Sequence, residues 1–133
     1  MRVLIDTNIV LDFLQGREPF VEDAARLFEK IDAGEVEGFI AATTITNIYY
    51  IVRKAAGARA AQDAITQILT DLYICAVDRS ILSQAIALNF QDFEDAVQCA
   101  CGIKYGVDVI VTRDASGFVN APIRVISPGE LGN

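Results

Sequence analysis

Histidine is missing altogether from this 133-residue chain. That absence removes the usual general base, the Ser-His and Cys-His nucleophile pairs, and the commonest zinc ligand. Cysteine is scarce. Cys75, Cys99 and Cys101 are an odd number, and each lies in an apolar stretch, so they read as small buried hydrophobes rather than disulfides or ligands. No apolar run approaches the roughly 18 residues of a membrane span. The start of the chain has no basic region and no cleavage-site pattern, so a cytoplasmic location with no membrane partner is the expectation. Positive charge is also in short supply, with 11 basic residues against 18 acidic ones and a net charge of −7. A surface that grips nucleic acid indiscriminately is therefore not expected, although a local basic patch remains compatible with guiding one substrate.

What is present is apolar residue, at 53% of the chain, with a mean hydropathy of +0.35. A sheet buried on both faces accounts for such a composition. The length fits a single domain over residues 1–133, large enough for a real core.

The stretch that organises the rest is Val3-Leu4-Ile5-Asp6-Thr7-Asn8. A short apolar run reads as a buried strand, and Asn8 suits the N-cap of a short helix over Ile9 to Leu14. Pro19 opens a second helix, with Val21, Ala24, Ala25, Leu27, Phe28 and Ile31 at helical spacing and Gly34 as its C-cap. Gly38 to Ala42 reads as a second strand. Thr43 or Thr44 then caps a third helix carrying Ile45, Ile48, Tyr49 and Val52 on one face, with Arg53 and Lys54 in its tail. Gly57 separates this helix from a fourth, Ala58 to Leu72. Tyr73 to Val77 reads as a third strand. Asp78 caps a fifth helix to Leu88, and a sixth runs from Asp92 to Tyr105 with Phe93, Val97, Ala100 and Cys101 as its core stripe. Val109 to Thr112 and Arg124 to Ile126 are the last strands, and Pro128 starts a final turn of helix. Strands alternating with helices predict an α/β fold with a mainly parallel sheet and helices on both faces.

Carboxylates collect where such a fold places its sites. Asp6 and Asp114 each follow a strand, and the C-terminal ends of parallel strands share one edge. Asp92, Glu94 and Asp95 open the helix before the fourth strand. Each acid also has a plainer reading. Asp6, Asp92 and Asp114 suit helix or turn caps, Glu94 suits a solvated first turn, and Asp12 suits either a supporting or an exposed position. Taken together, clustered carboxylates repel, and a hard divalent cation resolves the repulsion. Mg²⁺ or Mn²⁺ prefers oxygen ligands, activates water and stabilises the leaving oxygen of a cleaved phosphodiester, all without histidine.

At these residues the chain resembles the PIN-domain family over nearly its whole length. Leu4 to Asp12 resembles the family's first motif, Asp95 to Ala100 its third, and Val111-Thr112-Arg113-Asp114 with Phe118 its fourth. The resemblance implies a three-layer α/β/α sandwich. It also implies an Mg²⁺- or Mn²⁺-dependent ribonuclease acting on RNA, in many bacterial and archaeal members a VapC-type toxin, often a homodimer, restrained by an antitoxin protein. It assigns Asp6, Asp95 and Asp114 as metal-binding and catalytic acids, with Thr7 and Asn8 supporting the first and Thr112 near the last; Asp92, read from the sequence as a cap, is a further supporting candidate. On the third helix the family usually has a glutamate, and the matching residue here is Asn47, a neutral oxygen donor. Arg113, beside Asp114, is the first choice for phosphate contact, ahead of Arg53, Lys54, Arg59 and Lys104 at helix ends. Tyr50 is available to stack on a base, whereas Tyr49 shares the core stripe. The competing reading is a non-catalytic binding module of the same fold, for which Asn47 is the main support. A receiver-like phosphoacceptor domain also carries Asp at strand ends, but the lysine it needs after a late strand has no suitable counterpart.

Overall fold

The computed structural model describes residues 1–131. Five parallel strands form one sheet in the order β3-β2-β1-β4-β5. In chain order the elements are β1 (Arg2–Ile5), α1 (Thr7–Gln15), α2 (Val21–Asp32), β2 (Glu37–Ala41), α3 (Ala42–Ala56), α4 (Ala58–Asp71), β3 (Tyr73–Cys75), α5 (Arg79–Leu88), α6 (Phe93–Tyr105), β4 (Val109–Val111) and β5 (Arg124–Ile126). Single 3₁₀ turns follow β4, at Ala115–Phe118, and β5, at Pro128–Glu130.

The alternation of side chains along each strand explains the three layers. Val3 and Ile5 face one side of the sheet with Ile40, Val109 and Val111, where α1 to α4 pack. Leu4 faces the other side with Phe39, Ala41 and Ile110, where α5 and α6 pack. Crossovers of one hand force this division. The chain moves outward from β1 to β3 with its helices on one face, and the return from β3 to β4 needs its helices on the other. Packing is tight at Gly38, where a Cβ would lie 2.6 Å from Leu72 Cδ2 and 2.8 Å from Ile31 Cδ1, so those side chains would have to shift to admit one.

Local boundaries differ from the sequence expectation at a few points. The N-cap of α1 is Asp6, whose Oδ1 accepts from the Thr7 amide at 2.7 Å, so Asn8 lies inside the helix. The helix α3 starts directly from β2 without a side-chain cap, and Thr43 and Thr44 fall in its first turn. Helix α2 begins after Phe20, beyond Pro19, and its C-cap is Ala33 rather than Gly34. β3 stops at Cys75 and β4 at Val111. Asp78 caps α5 through the Ile81 amide, as expected. The three cysteines are buried free thiols. Among the described residues no helix is long and apolar enough to cross a membrane.

Candidate active site

Asp6 lies where the strand order reverses. β1 has β2 on one side and β4 on the other, and the crevice beyond such a switch point is where open α/β sheets hold ligands. The Asp6 amide extends the ladder by donating to the Val111 carbonyl at 3.0 Å, and the carboxylate turns into the crevice, only 7% exposed. Burying a carboxylate is costly unless it is hydrogen-bonded. Here Oδ1 accepts from Thr7 N at 2.7 Å and from Gln98 Nε2 at 2.9 Å, and Oδ2 accepts from Thr112 Oγ1 at 2.7 Å.

Thr112 is the hub of this arrangement. Its hydroxyl donates to Asp6 and accepts from the Asp114 amide at 3.1 Å, so one buried oxygen fixes two of the acids relative to each other. Asn8 reaches the same group more loosely, at 3.5 Å from its Nδ2 to Thr112 Oγ1, and its Oδ1 accepts from the Arg113 amide at 3.5 Å.

The helix α6 supplies the other wall. Asp92 caps it, accepting from the Asp95 amide at 3.0 Å. Asp95 is half-buried against the turn after β4, and a Cβ at Gly117 would run into its Oδ2. Burial, then the charges of Asp6, Asp92, Glu94 and Asp114, push the Asp95 carboxyl up to about 7. Asp114 goes the other way. The Ser116 hydroxyl and amide hydrogen-bond it and hold it below the usual carboxylate range. Glu94 is exposed and accepts from Thr7 Oγ1 at 3.2 Å. Phe93, expected in the core stripe, is 50% exposed, and Gln98 takes a buried place on α6 instead.

Three placements complete the account of the expected residues. Asp12 is wholly buried. Arg113 donates to it from Nε at 2.7 Å and from Nη2 at 3.1 Å while its guanidinium lies 4.0 Å from the Phe20 ring centroid. Two of the three guanidinium nitrogens of Arg113 are thus turned to Asp12 rather than outward to a phosphate. Asn47 is half-buried in the second turn of α3, a helix that starts at the same sheet edge as Asp6. Tyr50 is 61% exposed and stands edge-on to Tyr49, which packs against the core.

The residue that sequence reasoning missed is Gln98. Its signal was a lone amide amid the apolar residues of α6, one turn beyond Asp95, where burial demands a polar partner. Its Nε2 has that partner in Asp6, while its Oε1 is buried with none.

The donor set fits a hard divalent cation in chemistry. It is all oxygen and strongly negative, and its charges add to burial in raising the proton affinity of Asp95. Among the described residues no three Asp, Glu or Cys side chains are gathered closely enough to hold an ion by themselves. Mg²⁺ asks for less than that, since it is commonly bound through one or two carboxylates with water and substrate phosphate completing the shell.

Comparison with known proteins bears on the fold. The family model described as PIN domain matches residues 2–116. No match was found among curated protein sequences. Among solved structures, a toxin–antitoxin complex from Klebsiella pneumoniae superposes with a TM-score of 0.72 at 22% identity, covering 95% of this chain and 97% of that one. VapC20 of Mycobacterium tuberculosis, a sarcin-ricin loop cleaving toxin, gives 0.71 at 20% identity, covering 89% of this chain and 97% of that one. VapBC2 of Rickettsia felis, bound to a DNA fragment from its promoter, gives 0.70 at 15% identity, covering 96% and 98%. At these identities the neighbours establish the fold, and the family model covers most of the sequence: the chain belongs to the PIN-domain family.

Proposed function

We propose that this protein is a divalent-cation-dependent endoribonuclease that cleaves RNA phosphodiester bonds, and that it is the toxin of a toxin–antitoxin pair. The observation that carries the proposal is the Asp6 carboxylate, buried, fixed by Gln98, Thr7 and Thr112, and close enough to Asp95 for its charge, with those of Asp92, Glu94 and Asp114, to act there. An acid buried beside other acids is costly unless a cation or a bound proton offsets the charge.

Asp6, Asp95 and Asp114 would hold Mg²⁺ or Mn²⁺, with Asn47 as a neutral donor from α3. When bound, such an ion supplies activation of water and charge stabilisation at the scissile phosphate. The chain's own residues do the positioning. Thr7 N and Gln98 occupy Oδ1 of Asp6, which leaves Oδ2, bonded only to Thr112, as the oxygen with a lone pair to offer. Asp95 is able to carry a proton near neutral pH until a cation replaces it. Thr112 keeps Asp114 in step with Asp6.

The toxin part of the reading is supported by neighbours of the same fold that are themselves toxins or toxin–antitoxin complexes. It brings with it an antitoxin protein as partner, a homodimeric state and a cytoplasmic place of action. The second reading, a non-catalytic binding module, is favoured by one observation, the neutral Asn47 on α3.

Calorimetric titration with Mn²⁺, followed by RNA cleavage assays, on the wild type and Asp6→Asn tests the proposal. Binding and cleavage by the wild type, both lost in a folded Asp6→Asn variant, are expected. Wild-type protein that neither binds Mn²⁺ at millimolar concentration nor cuts RNA in its presence moves the binding module ahead.

A further inference from the structure

A cleft of about 300 Å³ opens beside the acids, between the α5–α6 link and the turn after β4. Its lining includes Asp92 and Asp114 together with Asn89, Gln91, Asn120 and Val119. We propose that it is a subsite for one nucleobase of single-stranded RNA, adjacent to the phosphate that the acids engage; for its ligand the inference rests on the nuclease reading above.

The lining decides the ligand class. No lysine or arginine contributes to it, and both of its charged residues are carboxylates, so a phosphate is repelled from the cleft itself. Three amides remain. An amide presents a donor and an acceptor side by side, which is the pattern of a base edge. The side chains of Asn89, Gln91 and Asn120 are exposed, and none is hydrogen-bonded to another described residue. Asn89 is the C-cap of α5 and holds φ at 57°, a left-handed conformation that glycine adopts with less strain. Asparagine there keeps an amide at the mouth of the cleft. Apolar surface completes the chemistry, because Val119 is 80% exposed and Phe90, whose ring stands at 82° to that of the buried Phe118, lines the cleft with it. The size lies at the lower end of small-ligand pockets, roughly 300 to 1,000 Å³, which suits a single base rather than a longer segment. Unpaired RNA bases are read by this combination of edge hydrogen bonds and flat apolar contact.

Neutral nucleosides test the inference without phosphate, metal or turnover. The side-chain amide resonances of Asn89, Gln91 and Asn120 are followed by NMR while adenosine, guanosine, cytidine or uridine is added to the wild type, Asn120→Ala and Asn89→Gly. The glycine variant removes an amide while suiting the backbone. Saturating shifts with at least one nucleoside are expected, with affinity about three- to ten-fold weaker in each variant, the worth of one neutral hydrogen bond. Absence of saturating shifts with all four, unchanged affinity in both variants, or shifts with N-acetyl-arginine amide alone, the mark of a peptide-binding cleft, overturns it. A wild type that binds nucleosides here yet leaves RNA intact with Mn²⁺ refutes the nuclease reading and keeps the subsite. A wild type that cuts RNA but takes no nucleoside does the reverse.

Discussion

Arg113 and Asp12 form a two-pronged ion pair, with Nε to Oδ2 at 2.7 Å and Nη2 to Oδ1 at 3.1 Å, across a carboxylate that has no exposure of its own. The two partners are not equivalent. Arg113 keeps 29% of its side chain in solvent, while Asp12 depends on Arg113 and on a longer contact of 3.9 Å to Arg17. Removing the arginine strands a buried charge; removing the aspartate frees an arginine that water can reach. Chemical denaturation is therefore expected to show Arg113→Ala costing about 3 to 5 kcal/mol and Asp12→Asn distinctly less. Equal losses would contradict this asymmetry.

Gln98 and Thr112 are expected to act through Asp6. A hydrogen bond to a charged group is worth roughly 1.5 to 3 kcal/mol, and Gln98→Leu and Thr112→Val each remove one from the carboxylate while preserving shape. Mn²⁺ affinity and RNA cleavage should both fall by more than ten-fold in each variant, with the circular dichroism spectrum unchanged. Calorimetry and a cleavage time course check the two readouts separately.

Gly117→Ala places a methyl group against Asp95 Oδ2. The residue lies in a surface turn, so stability should change by no more than about 1 kcal/mol, the ordinary effect of a surface substitution allowing for a shifted turn. Cleavage should drop sharply because Asp95 has to move. Retained cleavage at full rate would show that Asp95 is not held by this contact.

The proton affinity of Asp95 sets a pH dependence with a definite sign. Its ordinary value is 3.8 and burial with neighbouring charge raises it to about 7. An acid whose folded-state value is raised favours folding in its protonated form. Its contribution is complete below the unfolded value near 4 and is lost as pH rises through 7. Metal-free protein is thus expected to lose stability between pH 4 and 7 from this group, and Asp95→Asn to flatten that slope. Mn²⁺ should raise Tm more at pH 8 than at pH 5, since the cation competes with the proton. Thermal melts at the two pH values, with and without Mn²⁺, settle the matter.

Asn47→Glu adds a carboxylate on α3, where the resemblance drawn from the sequence implies a glutamate. Tighter Mn²⁺ binding by the variant is expected, and calorimetry that shows no gain would exclude α3 from the cation's surroundings.

Much of the fold was legible because its signals are local. The apolar run of β1 ends at Asp6, the helix periods of α2 and α4 stand out, and Asp78, Asp92 and Asp114 cap the turns they precede. Errors arose where tertiary contact overrode local preference. Asn8 is a good cap by type, yet the chain turns two residues earlier because Asp6 must bond the Thr7 amide and pair with Val111 at once. Phe93 looked like core on spacing alone, but α6 is buried on nearly every side past its first turn, and that first turn stands in solvent. The acids of the site were legible as types. Gln98, Gly117 and the Asp12–Arg113 pair were not, since each gains its meaning from a residue far away in sequence.

That distance has a consequence for how the protein comes into being. The groups that hold Asp6 lie at positions 7, 98 and 112, and the strand that closes the seam beside β1 spans Val109–Val111. During vectorial synthesis the first acid leaves the ribosome long before its last tether is made. Nascent chains and fragments cut before β4 therefore carry the acid without Thr112 and without the strand beside β1, and any activity that depends on the complete scaffold switches on only when the seam closes.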